Sequence, residues 1–508
     1  MHNNRALVIG AGIGGISTAA KLAREGYQVS VLEKNEIPGG RCGKMEIQGH
    51  HFDTGPTLFL MPDLYREAFL NLGERLEDHL ELRRVDPTYQ IHYADGLDLT
   101  LTNDLHVMQA QLEAIEPGSY RQYLRYLQEG YFHYKASLDT VVRRDFRQAF
   151  DFFNPKNLIL MLRLKALTKH YKNISRFFKD ERLKFAFIFQ NLYMGVHPYQ
   201  APALFSLLQH TEFSDGVWFP IGGMNSIIEA LVHIAEKNGV TFHYKTIVDQ
   251  ILIENQRAIG VGLKNGKKLL GDVVVANADL PYIYRELLPE DGNPRRFSEK
   301  KHGCSALVFY WGLKKRYPQL GPHNLFLAKD IRGGFDQIFN ELSLSKEPSF
   351  YVHAPVRLDS SLAPEGQDTL TVAVPVPHLD EKNPQDWKSL KAQSRRYILS
   401  RFREVGISDL DEHIKFEVSY SPEDWKKRFN LTKGSAHGLS HEILQMGYLR
   451  PKNQHDVYRN LFFVGASTHP GTGLPSVLVS AKHVSDRILE TSMVPHLEFS
   501  GSAVPAIE

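Results

Sequence analysis

Three glycines near the N-terminus, Gly10, Gly12 and Gly15, have the spacing G-x-G-x-x-G between an apolar β-branched run and a helical pattern. A second strand pattern then ends at Glu33, eighteen residues past Gly15. In a βαβ unit the first glycine permits the tight turn, the second lets the backbone approach a pyrophosphate, and the third lets helix and strand pack closely. The acid accepts hydrogen bonds from a ribose diol. Such glycines also occur in plain turns, but the two strands and the acid favour dinucleotide binding.

The residues after this unit distinguish between two dinucleotides. The chain continues as "EKNEIPGGRCGKMEIQGHHFDTGPT", with turn signals at 39–41 and 53–57. Either signal alone is typical of a surface turn, whereas both directly behind a βαβ unit match flavoproteins in which this segment runs along an extended FAD. A nicotinamide enzyme does not need the segment. The predicted contacts are Lys34, Gly40, Arg41 at phosphate or flavin, and the backbone of Gly55, Pro56 and Thr57 near the isoalloxazine ring.

A third stretch with the same chemistry lies at 461–481, "LFFVGASTHPGTGLPSVLVSA". An apolar strand stops at a polar turn rich in glycine and proline, and a helical pattern follows. Glycines permit close approach, prolines stiffen the loop, and the first N–H groups of the helix are free to stabilise negative charge on a reduced flavin. The predicted flavin contacts here are Gly465, Ala466, Ser467, Gly473, Leu474, Pro475 and Ser476.

Motifs along nearly the whole chain carry a family resemblance. They are, in order, "HFDTGPT", "IEPGSY", "GVWFPIGGM", "VVANAD", "HNLFLAKDIRGGFDQIF", "SSLAPEG", "GYLRPKN" and "GASTHPGTGLP". With these motifs the chain resembles the bacterial-type phytoene desaturases and the diapophytoene (dehydrosqualene) desaturases, which are FAD-dependent carotenoid desaturases. The resemblance implies an α/β fold: a Rossmann-like FAD-binding domain of the glutathione-reductase-like, amine-oxidase type, a discontinuous α+β substrate domain, and a helical region that faces a membrane.

The elements that position these motifs are expected to come from separate stretches of the chain. The resemblance implies an FAD-binding domain built from 1–95, 215–300 and 455–490, a substrate and membrane-associating domain built from 96–214 and 301–454, and a flexible tail, 491–508. In similar enzymes Val248 touches the adenine side of FAD through its backbone, and Asp279 ends a strand that returns to the FAD fold. For Val248, the interpretation as an ordinary strand residue is equally open.

The resemblance implies desaturation of a linear carotenoid precursor, by hydride transfer from an allylic carbon to flavin N5 and loss of a proton. Related oxygenases, isomerases and hydroxycarotenoid desaturases stay open, as does a carrier of prenyl lipids that does not use the flavin. Asp145 and Arg147 in "VVRRDFRQAF" and His469 in the C-terminal loop are the catalytic candidates. The alternatives are a surface salt bridge for the first two, whose Asp-x-Arg spacing departs from the Asp-x-x-Arg of some members, and a histidine that satisfies loop carbonyls.

Composition limits the remaining classes of function. At 508 residues and 42% hydrophobic content the chain exceeds the roughly 250–300 residues of one core, so two domains are expected. A net charge of +2 and two cysteines argue against nucleic-acid binding, a disulfide framework and a metal site. No signal sequence or apolar run of about 18 residues is visible. With a basic amphipathic pattern over 155–189, we expect a cytoplasmic protein bound peripherally to a membrane, with a long apolar polyene as substrate and quinone or O₂ as electron acceptor.

Overall fold

The computed structural model describes residues 4–288 and 296–493. Its β-strands are, in chain order, β1 Arg5–Ile9, β2 Gln28–Leu32, β3 Lys44–Ile47, β4 His50–Asp53, β5 Leu82–Val85, β6 Tyr89–His92, β7 Asp98–Leu101, β8 Val217–Pro220, β9 Thr241–His243, β10 Val248–Glu254, β11 Arg257–Leu263, β12 Lys268–Leu270, β13 Val273–Ala276, β14 Ser305–Leu313, β15 His323–Phe326, β16 Phe350–His353, β17 Asp368–Val376, β18 Ile414–Tyr420 and β19 Leu461–Phe463. Its α-helices are α1 Ile13–Arg24, α2 Pro62–Asn71, α3 Leu105–Ile115, α4 Ser119–Ser137, α5 Ala149–Phe152, α6 Pro155–Arg163, α7 His170–Ile174, α8 Glu181–Ala186, α9 Leu207–His210, α10 Ser226–Lys237, α11 Leu280–Tyr282, α12 Ile331–Asp336, α13 Trp387–Glu404, α14 Leu410–His413, α15 Pro422–Phe429 and α16 Leu474–Met493.

A five-stranded parallel sheet with the order β19-β13-β1-β2-β9 carries the N-terminal motif. Ile9 is in register with both Leu32 and Ala276, and Ala276 with Phe463. Parallel strands buried on both faces require near-continuous apolar runs, which β1, β13 and β19 in the middle and at one edge of the sheet have. The sheet therefore joins the beginning, the middle and the end of the chain, and their carboxyl ends meet at one edge, where α/β folds bind their ligands.

Three helices, α1, α10 and α16, cover one face of this sheet in a shared apolar core. The small residues Ala19 and Ala20 of α1 are fully buried and allow close packing. The other face packs against the antiparallel strands β10, β11 and β12, with Val248, Ile251 and Val261 in its core. The position of the sheet edge is thus fixed from both sides.

A seven-stranded mixed sheet with the order β18-β14-β17-β16-β15-β6-β7 forms the second layer of the molecule. Its long central pair, β14 and β17, is almost completely buried and packs with α13. Strand β6 runs parallel to β15, with Asn324 in register with Gln90. Part of the segment predicted as FAD-binding, 1–95, therefore contributes to this second sheet, because β6 pairs on one side with the neighbouring strand β7 and on the other with β15, more than 200 residues away.

The predicted amphipathic pattern over 155–189 is not one helix but three short ones, α6, α7 and α8. Lys165, just after α6, has a positive φ of 52° that ends the helical path. Ala166 and Ile174, two apolar residues of this stretch, are buried in the protein core. An exposed apolar surface remains on α5, α6 and the residues beside them, here called the apolar patch: Phe150, Phe153, Leu158, Ile159, Leu162 and Leu167. Among the helices of residues 4–288 and 296–493, none is both long and apolar enough to cross a bilayer.

Candidate active site

A cavity of about 590 Å³ begins at the carboxyl edge of the parallel sheet and extends to the seven-stranded sheet. The predicted cofactor contacts that line it are Gly10, Gly12, Glu33, Lys34, Gly40, Arg41, Gly55, Pro56, Thr57, Val248, Asp279, Gly465, Ala466, Gly473, Leu474, Pro475 and Ser476. Its far end is lined by apolar and aromatic side chains that include Phe185, Phe189, Leu208, Leu325 and Phe335. One cavity thus joins a dinucleotide-type edge to an apolar chamber.

The glycine-rich turn is closely packed before α1. A Cβ atom on Gly15 would stand 2.2 Å from the carbonyl oxygen of Gly10, so this position excludes any side chain. Gly15 therefore packs helix against strand, as predicted, and does not line the cavity. The N-terminus of α1 has neither a side-chain cap nor an acidic residue in its first turn. Its positive end is thus available to an anion at the cavity wall.

Glu33 is 5% exposed at the end of β2. One carboxylate oxygen accepts a hydrogen bond from the Ala11 N–H at 2.8 Å, and the other accepts the backbone and side-chain amides of Asn35, both at 2.8 Å. A carboxylate offers about four lone-pair sites, so one acceptor position remains. This geometry fits the acceptance of a ribose hydroxyl at the cavity wall.

Arg41 is a partly buried cation at the cavity wall that binds little of the protein. One guanidinium nitrogen donates to the Ala436 carbonyl at 3.0 Å, and within the described ranges no carboxylate forms an ion pair with it. Burial lowers the pKa of Arg41, and the charge of Asp279 partly offsets this effect. Since a buried charge is costly without a counter-charge, the residues present fit an anionic ligand. Lys34 is already bound to the Lys427 carbonyl and the Asn430 side chain.

The C-terminal loop is attached to the cavity by hydrogen bonds that the sequence did not indicate. Asp279 accepts hydrogen bonds from the Thr432 N–H and from the Ser467 hydroxyl, both at 2.9 Å. Ser467 therefore holds the loop in place and does not line the cavity. The guanidinium group of Arg450, fully enclosed, donates to the Ala466 carbonyl at 2.6 Å. These contacts set the start of α16 against the cavity.

The three catalytic candidates lie away from the cavity lining. The Nε and one Nη of Arg487 donate to the two oxygens of the Asp145 carboxylate, and Arg147 bridges Asp145 and Glu490 at the surface. The structure thus shows a salt-bridge cluster at this position, the alternative to an acid–base pair.

His469 is also outside the lining, although it lies in the loop that closes the cavity. One ring nitrogen contacts the Arg144 carbonyl at 2.9 Å, and its ring stacks on His483 with 5.7 Å between centroids. Burial, then the neighbouring His483, lowers the pKa of His469 to about 4. Among the described residues, the ring of this neutral histidine has no hydrogen bond to the cavity lining.

The cluster around Asp145 leads to a prediction for Asp145→Asn. Burial opposes ionisation of Asp145, but Arg487 outweighs it and holds the pKa of the carboxyl below 3.8. We expect the variant to lose about 1–2 kcal/mol of stability, as for a partly exposed ion pair, with unchanged turnover per bound flavin. Because the pKa of Asp145 is lower in the folded than in the unfolded protein, ionised Asp145 stabilises the fold at pH values above its ordinary pKa, and this stabilisation is lost as the pH falls. The stabilities of wild type and variant should therefore converge below about pH 4. Turnover reduced a hundredfold per flavin would restore the catalytic interpretation.

Comparison with known proteins identifies the family. The model of the flavin containing amine oxidoreductases matches residues 13–489. The chain belongs to this family. Among its relatives, a zeta-carotene-forming phytoene desaturase of Myxococcus xanthus is 45% identical over 491 residues, which cover 96% of this chain and 94% of the relative. A 4,4'-diapophytoene desaturase (4,4'-diaponeurosporene-forming) of Staphylococcus aureus (strain Newman) is 33% identical over 493 residues, covering 95% and 98% of the two chains.

A solved structure supports the fold of this flavin-containing oxidoreductase. An oxidoreductase from Methanosarcina mazei superposes with a TM-score of 0.64 at 16% identity, over 95% of this chain and all of the other. The cofactor of the chain is FAD, as the family indicates, and Arg41, which forms no ion pair within the described residues, fits its phosphates. The sequence did not indicate four polar residues of the cavity region: Tyr89, Tyr193, Tyr351 and Glu212. They stand in no motif, and only tertiary contacts bring them together.

Proposed function

We propose that this protein is an FAD-dependent desaturase of a linear carotenoid precursor of the phytoene or diapophytoene type. The observation that carries the proposal is the continuity of the cavity, which joins the dinucleotide edge to an apolar, aromatic chamber. The names of the relatives from Myxococcus xanthus and Staphylococcus aureus, a phytoene and a diapophytoene desaturase, support the same chemistry. A carrier that binds no flavin has no need of a cavity-lining arginine such as Arg41, which has no carboxylate partner among the described residues.

Residues on three sides of the cavity would hold FAD. Arg41 and the N-terminus of α1 would meet the pyrophosphate, Glu33 a ribose hydroxyl, and the backbone at Val248 the adenine side. The backbone at 55–57 and the first turn of α16 would meet the flavin ring. When bound, oxidised FAD supplies an acceptor for a hydride from an allylic carbon of the substrate.

The chamber would recognise the substrate by apolar contact alone, because a polyene precursor offers no acid, amine or hydroxyl. Phe185, Phe189 and Phe335 line its walls together with Leu208 and Leu325. Each buried CH₂ contributes about 0.8 kcal/mol. The protein would thereby place an allylic carbon against the flavin and exclude water, so that positioning does most of the catalysis.

The apolar patch would bring the cavity to the lipid that dissolves its substrate. Leu162 is 63% exposed and Leu167 is 74% exposed, and the basic residues Lys156 and Arg163 lie beside them. On the inner side of α6, Leu160 packs in one cluster with Leu208 of the cavity wall. An amphipathic surface of this kind inserts into the headgroup region of an anionic bilayer. Quinone in that bilayer, or O₂, would reoxidise the flavin.

Incubation with liposomes tests the proposed function. The oxidised, FAD-loaded protein is mixed with vesicles that contain phytoene or diapophytoene, with a quinone as acceptor. Desaturation extends the conjugated system, so we expect stepwise red-shifted absorption with at least one substrate and none without FAD. An isomerase would act with reduced flavin and add no double bonds, and an oxygenase would add oxygen mass to the product. Absence of a red shift with both substrates would overturn the proposal.

A further inference from the structure

Glu212 is a fully buried carboxyl group beside the apolar chamber. It lies on a π-helical turn, Thr211–Asp215, directly before β8. One of its oxygens accepts the Tyr193 hydroxyl at 2.7 Å, and the other accepts the Gln190 side-chain amide at 3.0 Å. In the described part of the chain no cation faces it, and burial raises its pKa to about 7. A chamber built for an apolar substrate gives no structural reason for an ionisable group at this place.

Two phenols connect Glu212 with the cavity. Tyr193 and Tyr89 both line the cavity, and their hydroxyls are hydrogen-bonded to each other. Since the Tyr193 proton points to Glu212, Tyr89 must be the donor of the bond between the phenols. Each hydroxyl therefore donates toward Glu212, Tyr89 to Tyr193 and Tyr193 to the carboxylate.

The phenol of Tyr89 also lies near the predicted flavin end of the cavity. Its ring is 5.7 Å from that of His323, which is hydrogen-bonded to the Tyr351 hydroxyl at 2.6 Å. Tyr351 in turn contacts the Thr57 hydroxyl at 2.7 Å. Thr57 belongs to the segment expected beside the isoalloxazine ring, so Tyr89 faces the part of the cavity where an allylic carbon would react.

Amides close the other side of Glu212. The Gln209 amide donates to the Gln190 carbonyl oxygen at 2.7 Å, and the Tyr126 hydroxyl donates to Gln209 at 3.0 Å. These three side chains are fully buried. The titratable groups that face Glu212 are thus Tyr89, Tyr193 and, behind the amides, Tyr126. Because amides do not carry protons readily, a proton on Glu212 exchanges through the two phenols of the cavity.

We propose that Glu212 accepts, through Tyr193 and Tyr89, the proton that the substrate loses in desaturation, an inference that rests on the proposed function. Oxidised FAD would supply the acceptor for the hydride that leaves the first carbon with both electrons of its C–H bond, and an allylic cation would remain on the substrate. The neighbouring C–H bond then breaks, its electron pair forms the new C=C bond, and its proton passes to the Tyr89 oxygen. Tyr89 passes its own proton to Tyr193, and Tyr193 passes its proton to the Glu212 carboxylate.

The pH dependence of single-turnover product formation tests the relay. In the wild-type holoenzyme we expect the rate to rise as pH increases through about 7, where Glu212 becomes ionised. Glu212→Gln keeps the side-chain shape but cannot accept the proton, and Tyr193→Phe interrupts the path. Both should slow product formation about 100-fold, within the range of general-base contributions, and lose the inflection near pH 7. Tyr351→Phe removes a phenol from the same cavity without touching Glu212 and should keep that inflection.

Thermal unfolding tests the titration of Glu212 without any turnover. Between the ordinary pKa of 4.5 and the raised value of about 7, the folded protein holds a proton that the unfolded chain has released. Wild type therefore loses stability relative to Glu212→Gln as pH rises from about 4.5 to about 7, and the difference is constant above that. Asp53, whose pKa burial raises to about 6, and Asp215 titrate in both proteins and cancel in the difference. A constant difference in melting temperature between pH 5 and 8 would overturn the assignment.

The outcomes separate the relay from the proposed function. If wild type desaturates its substrate and Glu212→Gln does so at the same rate with the same pH profile, the relay is wrong and the function stands. If the FAD-loaded wild type yields no conjugated product with either precursor, the proposed function fails, and the relay fails with it even where unfolding shows that Glu212 titrates. FAD content measured for each variant excludes loss of the fold as the cause.

Discussion

The Gly55→Ala variant is expected to accumulate without FAD and to unfold well below the wild type. A Cβ atom on Gly55 would stand 1.8 Å from the carbonyl oxygen of Arg41 and 2.9 Å from its carbonyl carbon. Both are backbone atoms, so no side-chain rotation can relieve the clash. The two segments that would face the cofactor, 39–41 and 53–57, must therefore separate. Overpacking of a rigid contact costs about 1–3 kcal/mol or more, and the displaced segment is the one predicted to meet the flavin.

Flavin absorbance per protein and thermal unfolding measure this effect. Gly334→Ala is the matched control, because a Cβ atom on Gly334 in α12 meets nothing within 4 Å. The control should keep its FAD and gain up to about 1 kcal/mol from the higher helix propensity of alanine. A Gly55→Ala protein that retains full flavin and the wild-type melting temperature would show that the 53–57 segment does not pack as described.

The Arg41→Ala variant is expected to bind FAD at least ten- to a hundredfold more weakly while it remains folded. Arg41 lies partly buried at the cavity wall, and among the described residues its guanidinium group donates to the Ala436 carbonyl alone. Its remaining donors are free for a phosphate, and charge-assisted hydrogen bonds to phosphate contribute about 1.5–3 kcal/mol. Removal of the buried charge also ends its desolvation cost, so the apoprotein should not be destabilised.

Fluorescence titration of the apoprotein with FAD measures the affinity of the variant. Arg83→Ala is its control, since Arg83 on β5 likewise donates to a backbone carbonyl, that of Leu358, but does not line the cavity. The control should bind FAD with wild-type affinity. Equal affinity of Arg41→Ala and wild type would show that the anion of the cofactor binds elsewhere, at the N-terminus of α1 alone.

The sequence alone predicted three features, because each depends on local backbone geometry. They are the glycine spacing, the acid at the end of β2 and the strand–turn–helix at the C-terminus. Gly10, Gly15 and Glu33 occupy the positions that a βαβ unit requires. The family resemblance also predicted that three distant segments, 1–95, 215–300 and 455–490, meet. The parallel sheet joins strands from all three segments. The predicted tail, 491–508, lies largely outside the described residues.

Tertiary structure alone decided which polar groups are isolated and which are paired. Asp145 binds Arg487, which lies 342 residues away, and so forms a salt bridge outside the cavity. Glu212 meets Tyr193 inside a core where no cation lies near, within the described residues. Local periodicity determines a helix or a turn, but the charge state of a carboxyl depends on the water and the ions that the fold removes from it or brings to it. Those contacts form between residues far apart in the chain, so no short pattern contains them.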